Sequence, residues 1–487
     1  MPFGEEICMN LRKTKIVCTI GPASEKPEVL TKMIQAGLNV ARLNFSHGDY
    51  SEHQARIDLV RKLAKEQNVS VSVALDTKGP EIRCGLFKDG KVVLKEGNTF
   101  TFTPDDIEGT ETGCSISHKE LYKWVQPGVQ ILVNDGLIGM SVTEVKGKDI
   151  VCKIENGGDL SNRKSVNVPG VSIPMPFLSE KDRSDIAFAV KNNLDYVFAS
   201  FTRSAEDIMQ MRNYMKELGN TKIQIIAKIE NHEGIQNFDS ILKASDGIMV
   251  ARGDLGVEIP LEDVPVQQRV MIRKAKENGK IVITATQMLE SMIKNPRPTR
   301  AEASDVANAV FQGTSAVMLS GESAAGNYPV QAVEVMSKVA LSAEKSIDFW
   351  EKFKSKKDSG DLEEIGMAIG HAACDIAASL NAKAILVMTK TGYTARAISR
   401  YRPECPIVAR VYDEQVMNQL SLVWGVYPIM AEECTDVRKN LTDTVDKAVA
   451  AGVVRSGDLV VIAAGLPVSD AGTTNFLKVH YVGNPVI

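Results

Sequence analysis

Short, uninterrupted runs of β-branched and other apolar residues recur along the first two thirds of the chain. They are "KIVCTI" (15–20), "NVARLNF" (39–45), "VSVALD" (71–76), "DYVFASF" (195–201), "QIIAKIE" (224–230), "GIMVARG" (247–253), "KIVITAT" (280–286) and "SAVMLSG" (315–321). Runs apolar at nearly every position suit parallel strands covered on both faces. Between most of them the pattern changes to a helical period. In "PEVLTKMIQAG", Leu30, Met33 and Ile34 share one helical face and Gly37 supplies a stop. "SEKDRSDIAFAVKNN" opens with Ser179 and Asp182 in a capping-box arrangement. Eight β-then-α units predict a closed (β/α)8 TIM barrel in preference to an open sheet.

The chain between Asp76 and Asp195 is too long for one crossover, and its patterning differs. "KVVLKEGNTFTFTP" and "VQILVNDGLIGMSVTEVKGKDIVCKIENGG" alternate with period two, with "KDG", "PG", "NDG" and "KGKD" as turns. This predicts a small antiparallel β domain over 80–173, inserted between barrel segments 1–79 and 174–345. From 346 to 487, helix "EEIGMAIGHAACDIAASL" and strands "AKAILVMT", "PIVARVY", "GVYPIMA" and "DLVVIAAG" form a separate α/β domain. The charged stretch "EKFKSKKDSGDLEE" reads as the exposed connection into it.

Composition narrows the partners. With 44% hydrophobic residues, 24% charged residues and a formal net charge of -4, the chain reads as globular with a large core. It has no polybasic tail, so nucleic acid and anionic membrane are not expected partners. No apolar run is long enough to span a bilayer, and the N-terminal stretch lacks the pattern of a signal peptide. The 8 cysteines are scattered without a C-x-x-C pair, as thiols of a reducing, cytoplasmic compartment would be.

Barrel enzymes gather their chemistry at the C-terminal ends of the strands. Those ends carry Arg42, Asn44, Ser46 and His47; then Asp76, Thr77, Glu81 and Arg83; then Lys228 and Glu230, Asp254, and Thr286. Lys228 and Glu230 alone could be a structural ion pair. Buried ion pairs seldom add net stability, however, so repeated charges around one mouth favour function. Glu230 and Asp254, at the ends of neighbouring strands, suit a hard divalent cation. Arg42 and Lys228 offer fixed positive charge for a phosphoryl group. Asn44, Ser46, Asp76 and Thr77 form an oxygen-rich set that would suit either a monovalent cation or an ordinary cap and turn. His47 beside them is structural as readily as functional. P-loop, H-E-x-x-H and G-x-S-x-G signatures are absent; "GESAAG" (321–326) misses the last by one residue.

Taken together, "TKIVCTIGPAS", "ARLNFSHG", "DTKGPEIR", "VPGVSIPMPFLSEKD", "IIAKIENHEGI", "DGIMVARGDLGVE", "ATQMLESMIKNPRPTRAEASDVANAV" and "AVMLSGESAAGNYP" closely resemble the pyruvate kinase family. The resemblance implies a barrel domain, a β-barrel lid, a C-terminal α/β domain and a homotetramer. It implies phosphoryl transfer from phosphoenolpyruvate to ADP, giving pyruvate and ATP, with Mg2+ (or Mn2+) and K+ as cofactors. By the same resemblance Lys228 stabilises the transferring phosphoryl group, and Glu230 and Asp254 hold the divalent metal. Arg42, Lys228, Gly253, Asp254 and Thr286 line the substrate pocket, and Thr286 is linked to protonating the enolate. Asn44, Ser46, Asp76 and Thr77 match the K+ site; Asn44, His47, Arg83 and Lys164 match nucleotide contacts. Ser165 stands after Lys164 where the family commonly has glycine. Glu81 in "GPEIR" is the residue type that accompanies K+ dependence. "TKTGYT" places Thr389, Lys390, Thr391, Gly392 and Thr394 in a loop resembling the family's site for a phosphorylated effector, such as a sugar phosphate or AMP. Ala325 replaces a lysine common among relatives.

Overall fold

The computed structural model describes residues 11–355, 364–466 and 474–486. Part of the proposed connection, 356–363, lies outside the described residues. Three strands open the chain: β1 (Lys15–Thr19), β2 (Val40–Asn44) and β3 (Ser72–Asp76). The insert follows with β4 (Lys91–Leu94), β5 (Thr99–Thr103), β6 (Gly113–Ser115), β7 (Gln130–Val133), β8 (Ile138–Lys146), β9 (Asp149–Asn156), β10 (Gly158–Ser161) and β11 (Val166–Asn167). Then come β12 (Tyr196–Ala199), β13 (Gln224–Ile229), β14 (Gly247–Ala251), β15 (Ile281–Ala285) and β16 (Ala316–Leu319). Strands β1–β3 and β12–β16 close into one barrel in the order β1-β16-β15-β14-β13-β12-β3-β2. Its recorded pairs are parallel, as the apolar runs require.

The alternation of side chains within each strand builds two layers. Ile16, Cys18, Ala41, Leu43, Ile225, Ala227 and Ile229 pack outward against the helices. Val17, Val40, Ala74, Phe198, Ile226, Met249 and Ile283 fill the interior. Ile226 is an interior residue, so period two sends Lys228 and then Glu230 inward at the same end of the barrel. The capping box of Ser179 and Asp182 forms at the start of the Glu180–Lys191 helix. Gly37 ends the Pro27–Gln35 helix at φ 109°, where a side chain would be strained.

The opposite, N-terminal end of the barrel sits on the C-terminal domain. Tyr196 Oη donates to the Gln419 carbonyl (2.6 Å), Lys15 Nζ to the Val426 carbonyl (2.7 Å), and Ser72 to the Asn418 carbonyl. Asp195 lies in this seam, fully buried, accepting from the Val73 N–H at 2.7 Å. Burial pushes its carboxyl up to about 8. The folded state therefore keeps a proton that the unfolded chain releases near pH 4, and stability falls as pH rises from about 4 to 8. Asp195→Asn keeps an acceptor but does not titrate. Its unfolding free energy relative to wild type is expected to improve between pH 5 and pH 8, by at most about 1.4 kcal/mol per pH unit, read from melting curves at each pH. A pH-independent difference would contradict the assignment.

The insert pairs into a six-stranded sheet, β11-β7-β8-β9-β5-β6, and a two-stranded one, β10-β4, around a shared core that includes Phe100, Phe102, Ile131 and Leu160. The pairing is antiparallel as the turns predict, except that β5 and β6 run parallel. It touches the barrel's open end where Asn167 donates to Glu258 (2.8 Å) and Ser172 to Glu233 (2.6 Å). The C-terminal sheet has the order β19-β18-β17-β20-β21, formed by Val426–Met430, Ile407–Val411, Ala384–Met388, Leu459–Ala464 and Phe476–Tyr481 respectively. The last strand, antiparallel to its neighbour, was not expected from the sequence pattern. It is a mostly half-exposed edge strand, so it lacks the apolar run that marks the other four.

Candidate active site

The inward face of β13 delivers Lys228 to the barrel mouth, where it is the hub of a buried network. Its ammonium lies 3.0 Å from Asp76 Oδ1, 3.0 Å from Glu230 Oε1 and 2.7 Å from Ser200 Oγ. Arg42, at the end of β2, donates from Nε to Asp76 Oδ2 (2.6 Å) and from Nη1 to Thr19 Oγ1 (2.8 Å). One carboxylate thus holds both cations in place. Ser200 Oγ in turn lies 3.0 Å from Asp76 and 2.6 Å from the Thr77 carbonyl.

The charges do not neutralise one another evenly. Burial works against the charge on Lys228, but Asp76 and Glu230 outweigh it and hold its pKa above the ordinary lysine range. Burial likewise works against the Asp76 charge, yet Arg42 and Lys228 keep that carboxyl below its ordinary range. Glu230 and Asp254 go the other way: burial raises both, and Lys228 offsets this only partly. Glu230 Oε2 accepts from the Phe201 N–H (2.6 Å), whereas Oε1 is buried and makes no hydrogen bond, although it faces the ammonium. Two desolvated carboxylates that share one ammonium are relieved by a further cation. Among the described residues no group of 3 or more His, Cys, Asp and Glu could hold a metal ion. A two-carboxylate site completed by substrate oxygens and water is nonetheless what Mg2+ commonly uses, and the residues present fit it.

Asp254 is not at a strand end. It lies in the Arg252–Glu258 helix that starts directly after β14, so the apolar run "GIMVARG" stops being strand two residues early. Gly253, in the same turn, donates its N–H to Thr286 Oγ1 at 2.7 Å. Thr286 has φ 69°, a left-handed conformation that a β-branched residue adopts only under constraint. The constraint is visible: Arg252 donates to the Thr286 carbonyl (2.6 Å) and the Ala285 carbonyl (3.2 Å), and is anchored on both oxygens of Asp305.

Asn44 faces Asp76 in the β2–β3 register, with Thr77 next in chain. Asn44 Oδ1 accepts from the Ser46 N–H (3.1 Å), and Thr77 Oγ1 accepts from the Ser200 N–H (3.1 Å). Both the turn and an oxygen-rich corner are therefore present. Arg83 pairs with Glu81 at 2.6 Å and donates to the Arg163 carbonyl (2.9 Å), while the Lys164 carbonyl accepts from Cys84. Arg83 and Lys164 thus meet at the base of the insert. His47 is exposed, and its carbonyl accepts from His53.

Ser200, Phe201 and Arg252 were not singled out in the sequence. Ser200 carries a signal, as the polar residue directly after β12, the strand that pairs with β3. Ser200→Ala removes a hydrogen bond to a charged group, worth about 1.5–3 kcal/mol. It is expected to lower kcat by roughly tenfold or more; unchanged kcat in a folded variant would show that Asp76 alone orients Lys228.

Two desolvated carboxylates and two fixed cations thus gather at one end of a closed eight-stranded barrel, the kind of site that barrel enzymes build. Comparison with known proteins agrees. The barrel-domain model of pyruvate kinase matches residues 11–333, and its alpha/beta-domain model matches residues 367–480. A pyruvate kinase of Clostridium acetobutylicum is 49% identical over 473 residues, covering 97% of this chain and 100% of its own length. Pyruvate kinases of Sporosarcina psychrophila and Geobacillus stearothermophilus are 49% and 48% identical, each covering 97% of this chain and 81% of its own length. The chain belongs to the pyruvate kinase family and is a phosphotransferase of that class.

Proposed function

We propose that Lys228, wedged between Asp76 and Glu230, stabilises the phosphoryl group as it passes from phosphoenolpyruvate to ADP. Such transfer needs alignment and compensation of charge more than covalent work from the protein. The Lys228 network supports this reading: an ammonium fixed by Asp76, Ser200 and Glu230 costs no reorganisation when charge develops beside it. Arg42, locked on Asp76, binds a phosphate oxygen from the other side of the mouth. Glu230 and Asp254 would hold Mg2+ or Mn2+, which supplies neutralisation of phosphoryl oxygens. Asn44, Ser46, Asp76 and Thr77 would hold K+. Gly253 and Thr286 frame the enolate end of the substrate, with the Thr286 hydroxyl positioned by the Gly253 N–H to pass a proton. Asn44, His47, Arg83 and Lys164 receive the nucleotide as the lid, 80–173, closes and excludes water.

The enzyme is proposed to be a cytoplasmic homotetramer that depends on K+, with Glu81 as the residue tied to that dependence. Wild type assayed in buffer free of K+ and Na+ should lose most of its activity and regain it on adding K+; full activity without either ion would refute the dependence. In the C-terminal domain, Thr389 Oγ1 accepts from the Gly392 N–H (3.0 Å) and Lys390 reaches Glu433 (3.3 Å). This turn, with Lys390 and Thr391 exposed at its tip and Thr389 and Gly392 buried beneath them, supports an effector loop for a sugar phosphate or AMP. Thr394 is buried against the Thr474 hydroxyl (2.6 Å) and acts there as a brace. Phosphoenolpyruvate saturation curves that no phosphorylated compound shifts would remove the effector reading.

A further inference from the structure

Far from the mouth, a narrow cleft, open to solvent on one side, lies between the barrel and the C-terminal domain. From the barrel it is lined by Lys276 and Lys280; from the other domain by Arg396, Arg400 and Arg402, with Trp424 beside them. No Asp or Glu lines it among the described residues. Like charges gathered in one cleft repel, and each loses hydration there.

Two of these guanidinium groups are incompletely satisfied. Arg402 donates through Nη2 to the Gly313 carbonyl (3.0 Å) and Ser315 Oγ (3.2 Å), and through Nη1 to the Thr314 carbonyl (3.4 Å). It stacks on Trp424 at 4.6 Å, yet its buried Nε has no partner. Arg396 donates through Nη2 to the Thr391 carbonyl (2.7 Å), and its buried Nη1 has no partner. Lys280 Nζ is held by the Ser245 carbonyl (2.6 Å). The acids nearest in effect, Asp246 and Glu344, are engaged elsewhere: Asp246 with Arg212 (3.0 Å), Glu344 with the Lys13 and Thr14 N–H groups. Burial pulls the pKa of Arg396, Arg402 and Lys280 below the usual ranges, the cost of keeping charge in a dry seam. Buried donors without acceptors call for an explanation, and guanidinium forks matched with ammonium groups are the chemistry that binds phosphate.

We propose that this cleft binds a phosphate-type dianion, either free orthophosphate or the phosphoryl end of a small metabolite, and that the anion ties the barrel to the C-terminal domain. The site is separate from the Thr389–Gly392 turn, though Arg396 touches both. Its ligand would act on the domain seam, on the far side of the barrel from Lys228.

The test is calorimetric titration of the full-length protein with orthophosphate at constant ionic strength. Wild type is compared with Lys280→Gln/Arg400→Gln, Thr391→Ala and Lys228→Met. Arg400→Gln alone serves if the double variant does not fold. The double variant should weaken phosphate binding by at least about tenfold, equivalent to about 1.4 kcal/mol, with Thr391→Ala and Lys228→Met unchanged. Wild-type affinity in the folded cleft variants, or binding lost only in Thr391→Ala or Lys228→Met, would overturn the site. Ribose 5-phosphate is the second probe. Tighter binding than orthophosphate, lost in the same cleft variants, identifies a phosphorylated metabolite; equal affinity identifies free phosphate.

Discussion

Lys228→Met should lower kcat by about a thousandfold or more while leaving a folded protein. The size follows from what the ammonium does. It is a preorganised charge in a water-poor site, where removing even one neutral donor typically costs 10²–10³ in rate, roughly 3–4 kcal/mol. The fold should survive because its neighbours keep other partners: Asp76 retains Arg42 and Ser200, and Glu230 retains the Phe201 N–H. Methionine also preserves the volume of the lysine stem between strands. Circular dichroism and the melting temperature check the fold, and steady-state kinetics with both substrates checks the rate. Retained turnover in the folded variant would reassign the phosphoryl contact to Arg42.

Glu230→Gln is the complementary change, removing charge on the metal side with little change of shape. The amide oxygen can still accept from Phe201, but the site loses one of its two desolvated carboxylates. Divalent-ion affinity should fall by at least about tenfold, since even changes to groups behind metal ligands cost 10- to 100-fold, and kcat should fall with it. Mn2+ titration followed by electron paramagnetic resonance reads the affinity without turnover. The melting temperature without metal should hold or rise, because burial penalises the native carboxylate. Unchanged Mn2+ binding would remove Glu230 from the metal site.

The barrel and much of its mouth were legible because both rest on strand period. Once β13 is apolar and parallel, Ile226, Lys228 and Glu230 must share a face, and the structure places the last two 3.0 Å apart. Other features depend on geometry that a linear pattern does not carry. Asp254 looks like the end of an apolar strand, but the chain turns into a helix at Arg252. The left-handed Thr286 is held by Arg252 and Asp305, residues far apart in sequence whose pairing no local signal announces. Ser200 is a small hydroxyl that becomes important only because β12 lies between β3 and β13, beside both Asp76 and Lys228. The edge strand Phe476–Tyr481 escaped because half-exposure erases the apolar run.

Transfer of a phosphoryl group from phosphoenolpyruvate to ADP at the Lys228 network is tested most directly by pyruvate formation with the purified protein. The assay is coupled to lactate dehydrogenase and followed by loss of NADH absorbance, with Mg2+ and K+ present. Pyruvate should form only when ADP is added, with ATP formed in equal amount and the signal abolished in Lys228→Met. Pyruvate released without ADP, or an undiminished signal in that variant, would contradict it.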